Sequence, residues 1–329
     1  MIDSTNQILK KPLEELYRFL GVPLSVKFFP HQGRATSYAA LLHSQHISTM
    51  HETGRNHVLF ASHSPATAHL KLQQLKRVGV VGKEIPLSNE GLITPEAVDE
   101  AINPRTTLVS FPLIDHLTGV IHPIEEIAEV CHKRGVYLHL DLSYSLGILH
   151  FHLNDYPVDY LTIPEGLFVK PYVPFEPLIP GDSISSFELT QIQERLKRLK
   201  EKNELQNFEL TRLRDFFETE IRDHIPGAFP FFTLKERMPH ISALAFPGIT
   251  AEALLFYLTA EQIHASMGGD EDLLLETLLK KARVDDMTAR SALSFKIHPK
   301  MTKEGIKGTV QKIKKCVLSL RALSGVLPV

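Results

Sequence analysis

A chain of 329 residues, 43% hydrophobic and 22% charged, can bury a full core and has the length of about two ordinary domains. A formal net charge of −2 leaves no electrostatic footprint for nucleic acid, and Cys131 and Cys316 read as ordinary buried thiols of a reducing compartment. No run approaches the roughly 18 apolar residues of a membrane span, and the N-terminus MIDSTNQILKKPLEEL has no apolar signal core, so no membrane contact and a cytoplasmic location are expected.

Strand-like and helix-like stretches alternate through the first half. Leu24 to Phe29 reads as a short strand and Thr36 to His46 as a helix. His57 to Ala61 is a strand, Ala66 to Lys76 a helix, and Gly79 to Ile85 a strand. Thr94-Pro95 opens a helix with a cap and a proline at its first position. Thr106 to Phe111 is a strand. After Pro123, the residues Ile124, Ile127, Ala128 and Cys131 form a helical apolar stripe. Acids lie early in that helix and Lys133 and Arg134 late, as the macrodipole favours, and Gly135 ends it. Val136 to Asp141 and Val158 to Ile163 are strands. Strands alternating with helices predict an α/β fold, with a mostly parallel sheet covered by helices on both faces.

The texture changes after Leu161. Pro171, Pro174, Pro177 and Pro180 recur every third residue and end at Gly181-Asp182, which predicts an extended connection. The domain boundary is expected there, with 1–183 as a large domain and 184–329 as a smaller α+β domain. The second begins with a long helix from Ser186 to about Ile225. Its basic run, Arg195 to Lys202, is interleaved with acids and reads as a solvated helix face. Beyond it come a strand at Ile241 to Phe246, helices at Ala251 to Ala260 and Leu273 to Lys281, a strand at Ala292 to Ile297, and a helix from Lys303 to Leu323.

Sheets of this kind bind ligands at the carboxyl ends of their strands, and Asp141 stands at such an end. His139 shares its strand face, with His150 and His152 following, but no ligand spacing brings these three together, and no metal is expected. His122 and His132 flank a helix and read as surface residues. Gly33-Arg34-Ala35-Thr36 lies between a strand and a helix, where backbone N–H groups can hold a phosphate. The glycines are too few for a dinucleotide or P-loop fingerprint, and serine-hydrolase and zinc motifs are absent from the sequence.

Four blocks resemble the cysteine desulfurases of the class V aminotransferase family, fold type I pyridoxal-phosphate enzymes. Asp115-His-Leu-Thr-Gly119-Val-Ile-His-Pro123-Ile124-Glu-Glu-Ile is similar to that family's Asn-Asn-Glu-x-Gly segment running into Pro-Ile-Glu-Glu-Ile. Gly135-Val-Tyr-Leu-His139-Leu-Asp141 resembles its Gly-x-x-x-His-x-Asp strand. Val158-Asp159-Tyr-Leu161 resembles the strand before its lysine, and Glu176-Pro177-Leu-Ile-Pro-Gly181 the stretch after it. The resemblance covers most of the chain and is strongest from 79 to 181. It implies that Asp141 matches the acid that pairs with the pyridine nitrogen and keeps the ring an electron sink. It implies that Gly33 to Thr36 match the phosphate segment. His63 is the nearest match to the histidine that stacks on the ring, although an ungapped match puts Pro65 there. Family sites are built across a dimer interface, so a homodimer or a heteromer with a related protein is expected.

The same resemblance marks what is missing. The family's Ser-x-His-Lys, whose lysine forms the Schiff base, should follow Val158 to Ile163. An ungapped match puts Leu167 at the lysine. A match that makes Gly166 to Lys170 the next strand deletes the whole loop and brings Glu176-Pro-Leu-Ile into register. Lys170 is the nearest substitute, and at a strand's end beside Pro171 it reads as a solvated edge residue. The segment His264 to Glu271 holds no sulfur-carrying cysteine. Ser294 stands in the slot of the substrate-carboxylate arginine, Asp115 in that of the first Asn, and Tyr144 in that of a glutamine. Three readings follow: a desulfurase-like protein without desulfurase chemistry or covalent pyridoxal phosphate, acting through binding; an active enzyme on another amino acid, using Lys170; or a non-covalent binder of a phosphorylated small molecule. The strand pattern predicts Asp141 buried at a strand end facing a cleft, with Thr36 across from it.

Overall fold

The computed structural model describes residues 4–31, 33–149, 151–176, 185–200, 204–269 and 273–324. Two compact units emerge. The first comprises Met1–Pro86, Ile93–Leu113 and His122–Lys202, and the second Leu87–Leu92, Ile114–Ile121 and Asn203–Val329. The expected boundary at 183/184 and the Pro177 to Asp182 connection lie outside the described residues.

The first unit runs α1 (Ser4–Phe19), β1 (Lys27–Pro30), α2 (Arg34–Ser44), α3 (His51–Thr53), β2 (His57–Ala61), α4 (Ala66–Lys76), β3 (Val81–Ile85), α5 (Pro95–Ala101), β4 (Thr106–Pro112), α6 (Ile124–Arg134), β5 (Tyr137–Asp141), β6 (Tyr160–Ile163), β7 (Gly166–Val169) and α7 (Ser186–Lys200). A π-helical turn, Gln45–Met50, joins α2 to α3. The sheet has the order β1-β7-β6-β5-β4-β2-β3. Strands β3, β2, β4, β5 and β6 are parallel, and β7 runs antiparallel to both of its neighbours. This is the mostly parallel sheet with helices that the alternation predicts. Strands β2, β4, β6 and β7 are buried throughout, as expected where a sheet is covered on both faces. On β5, Leu138 and Leu140 share one face and His139 and Asp141 the other.

Local signals act as read at two helices. Thr94 accepts from the Ala97 N–H and caps α5, with Pro95 at its first position. Gly135 takes the left-handed conformation that ends α6, at φ 61°.

The β6–β7 connection is a tight one. Ile163 pairs with Gly166, so Pro164 and Glu165 alone make the turn. The reading in which Gly166 to Val169 is the next strand describes the backbone, and the ungapped placement of a loop residue at Leu167 does not. Gly166 is required by packing. A Cβ there would run into the Phe29 carbonyl oxygen and the Phe28 ring of β1.

The second unit runs α8 (Glu204–His224), β8 (Phe229–Pro230), β9 (Ile241–Ala245), α9 (Ala251–Ala260), β10 (Ala265–Ser266), α10 (Leu275–Lys281), α11 (Asp286–Arg290), β11 (Ala292–Lys296) and α12 (Lys303–Ser324). Its sheet, in the order β10-β11-β9-β8, is antiparallel throughout. Phe217 and Ile221 of α8, Leu254 and Leu258 of α9, and Ile313 and Val317 of α12 close a core over Leu293 and Phe295. Inside this unit Arg237 forks onto Glu218 at 2.8 and 3.0 Å, and Ser242 completes the carboxylate's shell at 2.8 Å.

Of the long helix expected from Ser186 to about Ile225, α7 and α8 are described, and residues 201–203 between them lie outside the described residues. The first, α7, packs on α1 in the first unit; the second, α8, packs on α12 in the second. Within the basic run, Arg195 is paired with the buried Glu165 rather than wholly solvated.

Candidate functional site

Asp141 ends β5 at the carboxyl edge of the sheet and is 2% exposed. Both of its oxygens are engaged. Oδ1 accepts from the Ser143 backbone N–H at 2.8 Å. Oδ2 accepts from Nε of Arg34 at 2.9 Å. Arg34 is the first residue of α2, directly after Gly33, and is itself 5% exposed. Its guanidinium lies 4.7 Å from the centre of the Tyr144 ring and 6.0 Å from that of Tyr38. A planar guanidinium suits this place, since it can bond a carboxylate and stack on aromatic faces at once.

The expectation that Asp141 is buried at a strand end, close to the Gly33 to Thr36 segment, therefore holds in its first half. The residue across from it is Arg34. Thr36 lies on the exposed side of α2. Helical geometry explains the difference: Arg34 and Thr36 are two positions apart and do not share a face. Gly33 is the N-cap of α2 at φ 81°, a conformation glycine takes readily, and its N–H donates to the Pro164 carbonyl at 3.2 Å. An arginine in the first helical turn opposes the macrodipole unless an acid holds it, as Asp141 does here.

A layer of polar groups lies beside the pair. His139, fully buried, is bonded through Nδ1 to Ser110 Oγ and through Nε2 to Thr162 Oγ1, both at 2.8 Å. Tyr38 packs edge-on against its ring at 4.8 Å. Burial pulls the His139 imidazole down to about 4. Burial also holds the Tyr38 phenol well above its ordinary value, and the Asp141 charge adds to that rise. Both ring nitrogens of a neutral His139 are thus taken up by hydroxyl groups. His152 is half-buried, His150 lies outside the described residues, and no cluster of three metal-ligating side chains occurs among the described residues.

His63 follows β2 at the same edge of the sheet and is 3% exposed. His122 is equally buried, which corrects its reading as a surface residue; His132 is exposed as expected. The two buried histidines meet at 3.1 Å between their Nε2 atoms. The Ile93 N–H donates to His122 Nδ1 at 3.2 Å. That bond fixes a neutral His122 as the Nε2–H tautomer, donating to His63 Nε2.

Lys170 lies at the other end of the sheet. Val169 pairs with Tyr160, and the Lys170 N–H donates to the Asp159 carbonyl at 3.1 Å, at the amino end of β6. Asp141 pairs with Thr162 toward the carboxyl end. About three residues along the strands and two strand spacings across separate them, roughly 14 Å. Its reading as an edge residue is corrected as well: β7 lies between β1 and β6, and Lys170 is half-buried, with its charge disfavoured by desolvation.

The remaining departures lie in the second unit. Asp115 turns inward on its own loop, and Oδ1 accepts from the Leu117 N–H, the Thr118 N–H and the Thr118 hydroxyl at 2.6 to 3.0 Å. An Asx turn therefore accounts for Oδ1, whereas Oδ2 is buried without a hydrogen-bond partner. Ser294 sits within β11 between Ala243 and Ser266 and is 3% exposed. Ser266 Oγ accepts from the Gly268 N–H at 3.0 Å, and Asp270 and Glu271 lie outside the described residues.

Residues 5–165 match the family described as Aminotransferase class-V. The cysteine desulfurase IscS of Buchnera aphidicola subsp. Schizaphis graminum is 25% identical over 300 residues, which cover 84% of this chain and 74% of that protein. Among solved structures, a NifS-like protein superposes with a TM-score of 0.83 at 19% identity, covering 95% of this chain and 88% of that one. DndA from Streptomyces lividans superposes with a TM-score of 0.72 at 21% identity, covering 89% and 90%. The fold is that of the fold type I pyridoxal-phosphate transferases. The sequence matches support the class-V aminotransferase family, with cysteine desulfurases as homologues.

Proposed function

We propose that this relative of the class-V aminotransferases and cysteine desulfurases keeps the family scaffold without desulfurase chemistry, and acts by binding, as a homodimer or with a related family protein. The observation that carries this reading is the Arg34–Asp141 bond. Pyridoxal phosphate, when bound in such enzymes, supplies an electron sink that depends on an acid at its ring nitrogen. Here that acid is already neutralised by a buried guanidinium. A pyridinium would have to displace Arg34 from Asp141 and from the Tyr144 ring. The site residues therefore do not fit the cofactor in the family's manner.

Two further features support the reading. The turn Pro164-Glu165 leaves no backbone for a loop bearing a Schiff-base lysine. The substitute, Lys170, stands at the opposite end of the strands from Asp141. Gly33 spends its N–H on the Pro164 carbonyl, which weakens the phosphate side of a cofactor site. Two buried free thiols suit the reducing cytoplasm that completes the reading. The test is an assay of sulfide and persulfide release from L-cysteine by protein supplied with excess pyridoxal phosphate. The expected rate is that of cofactor alone. A protein-dependent rate abolished by Lys170→Ala would replace this reading with the active-enzyme one.

A further inference from the structure

The hairpin turn between β6 and β7 also forms one wall of a cavity. Pro164 and Glu165 lie on one side, and Phe187, Gln191, Glu194 and Arg195 on the other, around about 340 Å³ within the first unit. The four helical residues fall at i, i+4, i+7 and i+8 along α7, so they share one face of it.

Glu165 and Arg195 meet through one bond where such pairs commonly make two. The Glu165 side chain is 6% exposed, and its Oε1 is paired with Nε of Arg195. A guanidinium usually holds a carboxylate through two parallel N–H bonds. Here Oε2 is buried with no hydrogen-bond partner, and the Nη groups of Arg195 have none among the described residues. A buried carboxylate oxygen calls for a donor. The pair therefore offers a ligand one acceptor and a set of unused donors.

Charge decides what satisfies both. Glu165 is matched by Arg195, and Glu194 has a partner of its own, so the cavity holds no surplus charge to select an ion. An anion drawn to Arg195 brings its charge against Glu165, and a cation drawn to Glu165 brings its own against Arg195. A neutral group avoids both penalties. A carboxamide carries a donor and an acceptor on neighbouring atoms in one plane, its NH2 for Oε2 and its carbonyl for the Nη hydrogens. Gln191 adds an amide to the wall, and the Phe187 ring, 59% exposed, offers an apolar face to whatever bears the carboxamide.

We infer that this cavity binds a neutral primary carboxamide, donating to Glu165 Oε2 and accepting from Arg195, with its apolar part against Phe187. A free carboxamide and the side chain of a glutamine or asparagine share this chemistry, and the site recognises what the two have in common.

A ligand-observed NMR titration of the full-length protein, without pyridoxal phosphate or L-cysteine, tests this independently of the desulfurase reading. The titrants are benzamide, as a free carboxamide, and N-acetyl-glutamine methylamide, as a side chain. Benzoate, benzamidinium and benzyl alcohol are the anionic, cationic and hydroxyl controls. The better carboxamide should bind about tenfold more tightly than each control, because only it makes both bonds to the pair without bringing a like charge against either member. Binding of benzamide alone identifies free carboxamides as the source, and binding of the glutamine derivative identifies a peptide side chain. Glu165→Gln, which keeps the volume and removes the charged acceptor, should weaken binding about tenfold. Phe187→Ala and Gln191→Ala, both on exposed side chains of α7, should each weaken it about threefold and decide the matter if Glu165→Gln does not fold. The inference is overturned if neither carboxamide binds, if any control binds equally well, or if folded variants bind like the parent protein.

Discussion

Replacing Arg34 by methionine removes a guanidinium and leaves the Asp141 carboxylate buried. The two side chains are 6% and 0% exposed, so neither regains water when its partner goes. Removing one partner of a buried pair costs about 3–5 kcal/mol, mostly as the penalty on the charge left behind. Asp141 keeps its bond from the Ser143 N–H, which places the expected loss near the lower end, about 3 kcal/mol. Asp141→Asn alone leaves the guanidinium buried against Tyr144 and should cost a similar amount. Combining Arg34→Met with Asp141→Asn removes both charges. The double variant should therefore be more stable than the sum of the single losses predicts, by about 2 kcal/mol. Because the chain forms two units and has no tryptophan, the assay is native-state hydrogen exchange at the β5 amides in increasing urea. Single losses below about 1 kcal/mol, or strict additivity, would refute a buried, mutually dependent pair.

Two further predictions rest on the same unit. His139 is neutral when folded, with its ordinary value of 6.5 pulled down to about 4. Its contribution is complete above pH 6.5 and is lost as pH falls toward 4, because only the unfolded chain takes up the proton in that window. Between pH 7.5 and 4.5 this amounts to about 2 to 3 kcal/mol. Urea titrations at the two values should show a smaller pH dependence in His139→Gln by that amount, and parallel profiles would contradict it. Gly166→Ala, which sets a Cβ against the Phe29 carbonyl oxygen and the Phe28 ring, should destabilise by about 2 kcal/mol or more. Unchanged denaturation would mean that β1 and β7 can separate cheaply.

The fold was legible wherever the pattern of apolar residues decides it. The Ile124, Ile127, Ala128, Cys131 stripe with Gly135 behind it gave α6, and the buried run Gly166 to Val169 gave β7. Burial of polar residues was the least legible property. Asp141 was found from its place at a strand end, but its partner was not, because arginine reads as a surface residue unless something signals an acid across from it. The histidine pair shows the same limit. His122 looks solvated by sequence, and in the structure His63 and the Ile93 N–H pack against its buried ring. Glu165, in a turn after proline, gave no sign that a helix about 30 residues later would cover it.

Borohydride reduction of the protein, purified from cells grown with excess pyridoxine, followed by peptide mapping, tests the central claim most directly. A neutralised Asp141 and a two-residue turn in place of the lysine loop predict no reduced pyridoxyl adduct on any lysine and no aldimine colour before reduction. A yellow protein with stoichiometric label on Lys170, or on any other single lysine, would contradict the account.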